Sequence, residues 1–554
     1  MNRFDLLRRL PTVVRSLRRL RVRQALAQAQ HMMVGPPAPR RATGAAPILA
    51  IDCVETSFLQ PPAHVHWRGE GSIELLATPF ELGDRVDWET RAQGPLFAYH
   101  LHQHDYLRCP GATPLDRSER IRDWIRRHPR GVGWDPHPIS LRLLTWGKLL
   151  ASPGALELSG PEREEILASL ADQAETLAQG LEVRLQANHL LSNLISVVWA
   201  GLLLDGRTSD AWRALATRLV QELDDQIRPD GGHEERSPMY HALLLENLLD
   251  LLNLCLAAPR RAPHGLEQTL RDTTQRMLAA LDVVTPPDGR IALFADSGFD
   301  IAAESDSLRD YASRLGVRTQ PPSDSVHLPQ TGYLRLRAGD FALIASVAGP
   351  SPRHQPGHAH CDALSFVLSV GGQRLVTDTG CFEYRPGTRR DRARATASHA
   401  TLQLDGEEQA ELWAAHRIGG RPSVEVVAWD ASGVAEAICR GWSAHAALHR
   451  RRFEVCEAGV TIRDGVEGPC REVRACLPID PAWRVELALG VARATRIAAA
   501  GCAESVTIEL PEGFTWSLEQ GPYYPSFGRE EERFVLVGVG EGCREAVTRF
   551  RCGG

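Results

Sequence analysis

Residues 332–349 read "GYLRLRAGDFALIASVAG", with Leu334, Arg335, Leu336 and Arg337 alternating in character before the turn at Gly339-Asp340. Successive side chains of a strand point to opposite faces, so this spacing predicts two strands joined by a tight turn. The pattern recurs toward the C-terminus in "LSFVLSVGGQRLVTDTG", "ATLQLDG", "PSVEVVAWDA", "RRRFEVCEAGVTIRDGV" and "ERFVLVGVG", with Gly-containing turns between. Residues 329–554 are therefore expected to form a large antiparallel β-sandwich.

Upstream the period changes. In "PEREEILASLADQAETLAQG", Leu167, Leu170, Ala174 and Leu177 recur at helical spacing, and Pro161 sits where its missing N–H costs nothing. "LLSNLISVVWAGLLL", "SDAWRALATRLVQELDDQI", "YHALLLENLLDLLNLCLA" and "GLEQTLRDTTQRMLAALDVV" continue the helical reading, with "RPDGG" and "PPDGR" as turns. Several are apolar nearly all round and must be covered on both sides. Residues 94–328 are thus expected to be stacked antiparallel helix pairs. Before them, residues 48–93 hold short β-like pieces such as "HVHWRG".

Residues 1–47 form an Arg-rich arm followed by the linker "VGPPAPRRATGAAP". Arginines interrupt every candidate apolar core of a secretory signal. A basic amphipathic helix suits contact with an anionic membrane or a protein partner, and a solvated helical arm is the plain alternative. A chain of 554 residues with 43% hydrophobic and 24% charged residues is a globular chain of two or three domains. Its net charge of −6 gives no pull toward nucleic acid. The twelve cysteines include no C-x-x-C pair, which argues against a zinc ribbon or a dense disulfide scaffold.

Four clusters carry chemistry-bearing residues. Asn188 and His189 open an apolar helix, where an Asn is commonly a cap. "GGHEERSPMYH" gathers His233, Glu235, Arg236, Tyr240 and His241 before another helix, a place where loops present active groups; a surface Glu235–Arg236 pair is the alternative. In "GHAHCDALSF", His358 and His360 would share one face of a strand, with Asp378 at the end of another strand and His399 before a third. Imidazoles with one carboxylate suit tetrahedral zinc; histidines satisfied by backbone groups are the plain reading. The fourth cluster, "YRPGTRRDRARATASH", holds Arg385, Arg389, Arg390, Arg392 and Arg394, forks suited to carboxylate or sulfate unless the loop is merely solvated. The aromatic interleaving that base stacking needs is missing.

Taken in order, "NHLLSN", "GGHEERSPMYH", "PDGRIALFADS", "GHAHCDALSFVLSVGGQRLVTDTGCFEY" and "ASHATLQLDG" resemble the heparinase II/III-like family across roughly residues 95–550. The resemblance implies an incomplete (α/α) toroid followed by an antiparallel β-sandwich, and a lyase that cleaves uronate-containing polysaccharide by β-elimination. It implies Asn188 and His189 as neutralisers of the uronate carboxylate, Tyr240 as acid and, for one C5 epimer, base, and His358 as base for the other. It gives His360, Asp378 and His399 to a structural zinc that fixes the loop presenting His358. The Arg-rich loop, through Arg389, Arg390 and Arg394, then meets the anionic polymer, with Glu235, Arg236 and Tyr384 also expected along the cleft. The family is associated with the cell envelope and with exopolysaccharide genes; with no readable signal, the cytoplasm is the alternative. Where relatives often read "NHLLEN", "HNDALSF" and "HNTL", this chain has Ser192, Cys361 and Ala400. The loss of the glutamate favours a second reading, a catalytically weak or inactive glycan-binding protein of exopolysaccharide assembly. A cupin also opens with H-x-H, but Leu364, Ser365 and Phe366 stand where its glutamate belongs.

Overall fold

A computed structural model describes residues 11–553 except 36–37, 45–46, 70, 319, 321–322, 442–446 and 498–502. Residues 1–10 of the basic arm lie outside the described residues.

Helices fill the chain from Pro95–Gln103 to Ser305–Arg314 and pack pairwise into a curved layer. At their centre is Ala187–Leu203, in which every residue except His189 is buried. Such a helix has no polar face to show water, so neighbours wrap it: Pro136–Leu150, Gly160–Gln179 and Pro238–Ala257 all pack against it. The approach of Pro136–Leu150 is close enough that a Cβ on Gly147 would collide with the Trp199 indole, which is why a glycine stands there. Pro238–Ala257 is long and apolar enough to cross a membrane, yet most of it is buried in this core. Helix starts follow local chemistry. Ser159 and Glu162 form a capping box before Gly160–Gln179, and Ser237 Oγ accepts from Tyr240 N at the start of Pro238–Ala257. The stretch "SDAWRALATRLVQELDDQI" is two helices rather than one, Ser209–Ala214 and Ala216–Gln226, meeting at Leu215.

From Val326 the chain is antiparallel β. A five-stranded sheet runs Gln373–Val376, Phe366–Val370, Phe341–Ser346, Tyr333–Ala338, Val326–Leu328. An eight-stranded sheet runs from Ser423–Asp430 to Arg484–Ala488, and a four-stranded sheet holds Leu402–Leu404 and Glu472–Pro478. Their inner faces meet in one core that includes Leu336, Leu343, Phe366, Phe453, Ile462, Trp483 and Phe550. Burying each large apolar side chain there contributes about 1.5–3 kcal/mol. The architecture is the expected one: an incomplete helical toroid, then a β-sandwich.

Arg236 joins the two halves. Its guanidinium donates to the carbonyls of Gly349 and Gly332 and to Ser346 Oγ, all in the sandwich, while its own carbonyl accepts from Tyr333 Oη. The arm spans both halves as well. Arg15 pairs with Glu411 and Trp413 Nε1 donates to Ser16 Oγ on the sandwich; Arg23 pairs with Glu222 at 2.7 Å on the toroid.

Candidate functional site

Asn188 stands in the first turn of Ala187–Leu203, just after Gln186 and Ala187, both at positive φ (63° and 50°). That left-handed pair turns the chain sharply, so Asn188 enters the site. Its Nδ2 lies 2.8 and 2.9 Å from the two carboxylate oxygens of Glu235. Glu235 is 1% exposed, and its pKa stays below the ordinary value: burial pushes it up, but the neighbouring His358 and His233 and the bonds from Asn188 outweigh that. Glu235 is therefore a fixed internal anion, not a free substrate ligand. His189 Nδ1 lies 3.1 Å from Glu182 Oε2; burial lowers its pKa, yet Glu182 holds it above the ordinary imidazole value.

Tyr240, in the first turn of Pro238–Ala257, meets Tyr384 from the sandwich, Oη to Oη at 2.7 Å. The His358 ring lies against Tyr240 with centroids 4.3 Å apart and against Tyr384 at 5.7 Å. Burial raises the Tyr240 pKa well above 10, and the nearby Asp296 and Glu235 raise it further. A phenol in that environment keeps its proton and is not a resting base.

His358 and His360 lie in a loop, not on a strand, because residues 357–363 precede the strand Phe366–Val370 without ladder bonds. Both still reach one group, the buried carboxylate of Asp296. Its Oδ2 is 2.8 Å from His358 Nδ1 and its Oδ1 is 2.8 Å from His360 Nε2. Burial pushes the Asp296 pKa up, but the Arg390 guanidinium and the two imidazoles hold it well below the ordinary value. An ionised carboxylate only accepts, so the proton on each ring must sit on the nitrogen facing it. In a neutral ring, that leaves Nε2 of His358, beside Tyr240, and Nδ1 of His360, facing the other way, as the nitrogens with a lone pair. His360 Nδ1 is buried with no hydrogen-bond partner, and so is His399 Nε2. One ligand atom from each of His360, Asp378 and His399 lies within 4.8 Å of the others, and all three residues are buried. Asp378 Oδ2 is 2.9 Å from His399 Nδ1. Cys361 turns away from this cluster and packs with Ala359, Ala410 and Ile418.

The arginine-rich run is not a solvated loop. Residues 388–394 form a short helix, and Arg390 and Arg394 are 1% and 2% exposed. Arg390 binds both Asp296 oxygens, and Arg394 donates to the carbonyls of Ala359, Ala414 and Ala415. Both Arg390 guanidinium nitrogens that reach Asp296 are committed to it, and Arg394 and Arg236 put most of their donors on protein acceptors, with Arg394 Nη2 and Arg236 Nε left buried and unpartnered. Arg389 is exposed and pairs with Glu530 at 2.7 Å. Sequence reading missed Asp296. It lies within the quoted "ALFADS", but a single aspartate carries no spacing signal.

A cavity between the halves is lined by Tyr240, Tyr384, Asn188, Ser192 and His137, with Leu141, Leu144, Met239 and Leu243 along its walls. Residues 122–317 match the family model "Heparinase II/III N-terminus", and residues 320–546 match "Heparinase II/III-like, C-terminal". The chain belongs to the heparinase II/III-like family. FtsZ-localized protein C of Caulobacter vibrioides is 26% identical over 330 residues, 58% of this chain and 54% of that protein. Heparin-sulfate lyase of Bacteroides stercoris is 24% identical over 259 residues, 41% of this chain and 38% of that protein. The chain thus spans about half or less of the length of these curated relatives. Among solved structures, heparinase III superposes with a TM-score of 0.68 at 16% identity, covering 85% of this chain and 80% of that one. Heparan sulfate lyase HepC of Pedobacter heparinus superposes at 0.56 and 17% identity, covering 88% and 81%. These likenesses establish the family fold, toroid and sandwich together.

Proposed function

We propose that this heparinase II/III-like chain is a polysaccharide lyase that cleaves a uronate-containing acidic polysaccharide by β-elimination. The observation that carries the reading is the bond of His358 Nδ1 to Asp296, which fixes the ring beside the Tyr240–Tyr384 pair and makes Nε2 the accepting nitrogen of its neutral form. His358 Nε2 takes the C5 proton; the C–H electrons form the C4–C5 double bond, and the C4–O4 bond breaks. The imidazolium so formed lies between Asp296 and Glu235, whose Oε2 is 4.0 Å from Nε2. Tyr240 Oη gives its proton to the departing O4, and Tyr384 is the hydrogen-bonded neighbour through which it recovers one. The C5 proton is acidic enough only when the uronate charge is neutralised, a role for Asn188, once its amide leaves Glu235, and for His189. Because the Tyr240 pKa is raised, the division of labour favoured is His358 as base and Tyr240 as acid.

Zinc on His360, Asp378 and His399 belongs to the same proposal. The two unpartnered buried nitrogens and the carboxylate suit the ion, and Asp296 would hold the His360 ring from behind. When bound, the ion supplies a structural tie for the loop that carries His358.

Among the described residues lining the cavity, Arg108 and Lys148 are already committed, Arg108 to the Leu59 carbonyl and Lys148 to Asp250 and Glu246. The cavity therefore suits a glycan charged by its uronates rather than one densely sulfated. The arm's outward Leu26, Met32 and Met33 support a peripheral contact with a membrane or a protein. Ser192 and the commitment of Asn188 to Glu235 favour a second reading, a catalytically weak glycan-binding protein.

The test is incubation with a panel of uronate polymers, following the ultraviolet absorbance of the unsaturated product. Absorbance that Tyr240→Phe abolishes supports the lyase. Cleavage without a double bond refutes elimination, and binding without cleavage selects the second reading.

A further inference from the structure

A second cluster of ligating groups stands in the helical wall, away from the sandwich. His137 comes from the first turn of Pro136–Leu150, Glu182 from the turn after Gly160–Gln179, and His189 from the first turn of Ala187–Leu203. One ligand atom from each lies within 4.8 Å of the others. The His137 and His189 rings lie with centroids 4.6 Å apart, so the two imidazoles converge. His137 Nδ1 is screened from water and has no hydrogen-bond partner. A hydrogen-bonded His189–Glu182 pair would account for two of the three groups, but it leaves that nitrogen unsatisfied.

The surroundings are those of a built centre. Asn193 Nδ2 donates to Glu182 Oε2 at 3.2 Å and to Ser140 Oγ at 2.8 Å, while Asn193 Oδ1 accepts from Glu182 N at 2.8 Å. Carboxylate ligands are characteristically held this way from behind. The 3.1 Å between His189 Nδ1 and Glu182 Oε2 is close to the ~3.3 Å expected of two ligand atoms on one tetrahedral ion with bonds of about 2.0–2.1 Å. We propose that His137, Glu182 and His189 bind a divalent transition-metal ion of the zinc class at the wall of the cleft.

This centre differs in kind from the sandwich cluster. His360, Asp378 and His399 are all buried, whereas His137 and His189 are only partly covered and His137 lines the cavity beside Asn188. Two histidines and a glutamate make three protein ligands, and since His137 lines the cavity, a fourth ligand would reach the ion from that side. An anionic oxygen is the ligand it would take. Resting on the lyase reading, that oxygen is the uronate carboxylate, and the ion would then neutralise it.

The test is elemental analysis of the full chain loaded with zinc and dialysed against metal-free buffer. Wild type is expected to hold one zinc equivalent more than His137→Gln, and Glu182→Gln is expected to lose the same equivalent. Folding of each variant is checked by circular dichroism. His360→Ala loaded with cobalt should keep a tetrahedral visible spectrum that His137→Gln/His360→Ala lacks. Equal zinc in wild type and in both folded variants overturns the site, since adventitious surface metal would survive these substitutions. A protein that holds this equivalent yet yields no unsaturated product keeps the metal site and loses only the lyase reading.

Discussion

On the helical side, Asn188 and Tyr240 stand in the first turns of two long helices whose backbones are braced by buried apolar packing. On the sandwich side, His358 and His360 stand in a loop with no ladder bonds of its own. Beside backbone bonds such as Asp296 N to the His358 carbonyl and Cys361 N to the Arg394 carbonyl, a buried charge network holds that loop: Asp296 grips both histidines, Arg390 grips Asp296, and Arg451 donates to the carbonyls of Leu364 and Ala400. A side chain on a braced helix can be removed without loosening its neighbours. A side chain in a buried charge network cannot, because its partner is left charged and unpaired. Catalysis and stability should therefore separate on the helical side and move together on the sandwich side.

Tyr240→Phe is the largest expected separation. It should lower kcat by about 10²–10⁴-fold, with the melting temperature nearly unchanged. A large loss of stability as well would break the comparison. Asp296→Asn should lower kcat, because the His358 tautomer is no longer imposed, and should also cost about 3–5 kcal/mol in denaturant unfolding, because Arg390 is left buried and unpaired. If kcat fell with stability intact, the loop would be held by something other than this network. Arg236→Ala should cost about 1–3 kcal/mol by loss of the buried bonds at the junction, with KM nearly unchanged; a marked rise in KM would restore Arg236 to substrate contact.

A pH-dependent effect concerns Glu234, beside Glu235. Burial pushes its carboxyl up to about 7 from 4.5, against the opposing charges of Arg228 and Arg21. Between those values the folded chain holds a proton that the unfolded chain has released, so this group lowers stability as pH rises from about 4.5 to 7. Glu234→Gln should flatten that slope in urea unfolding measured between pH 5 and 7; an unchanged slope would assign it to other groups.

Much of the architecture was legible in the sequence, since helical and strand periods show which faces are buried; the change read near residue 329 comes just after the first short strand of the sandwich, Val326–Leu328. The histidines, Asp378, Tyr240 and Asn188 were legible because they lie in short dense motifs. Arg390 and Arg394 were not: a run of arginines looks like a solvated surface, and only the packing of residues 388–394 against the His358 loop puts their guanidiniums on carbonyls and on Asp296.

By itself, the sequence determined the order of helices and strands and supplied the candidate acids, bases and ligands, because these depend on local spacing. Tertiary structure alone decided how "GHAHC" divides its two histidines. Asp296 lies 62 residues from His358 and 64 from His360 in the chain, and its carboxylate bonds a different nitrogen of each ring, Nδ1 of His358 and Nε2 of His360. It also brought His137 to Glu182 and His189. Such partners are chosen by burial and charge across distant segments, where no local pattern carries the information.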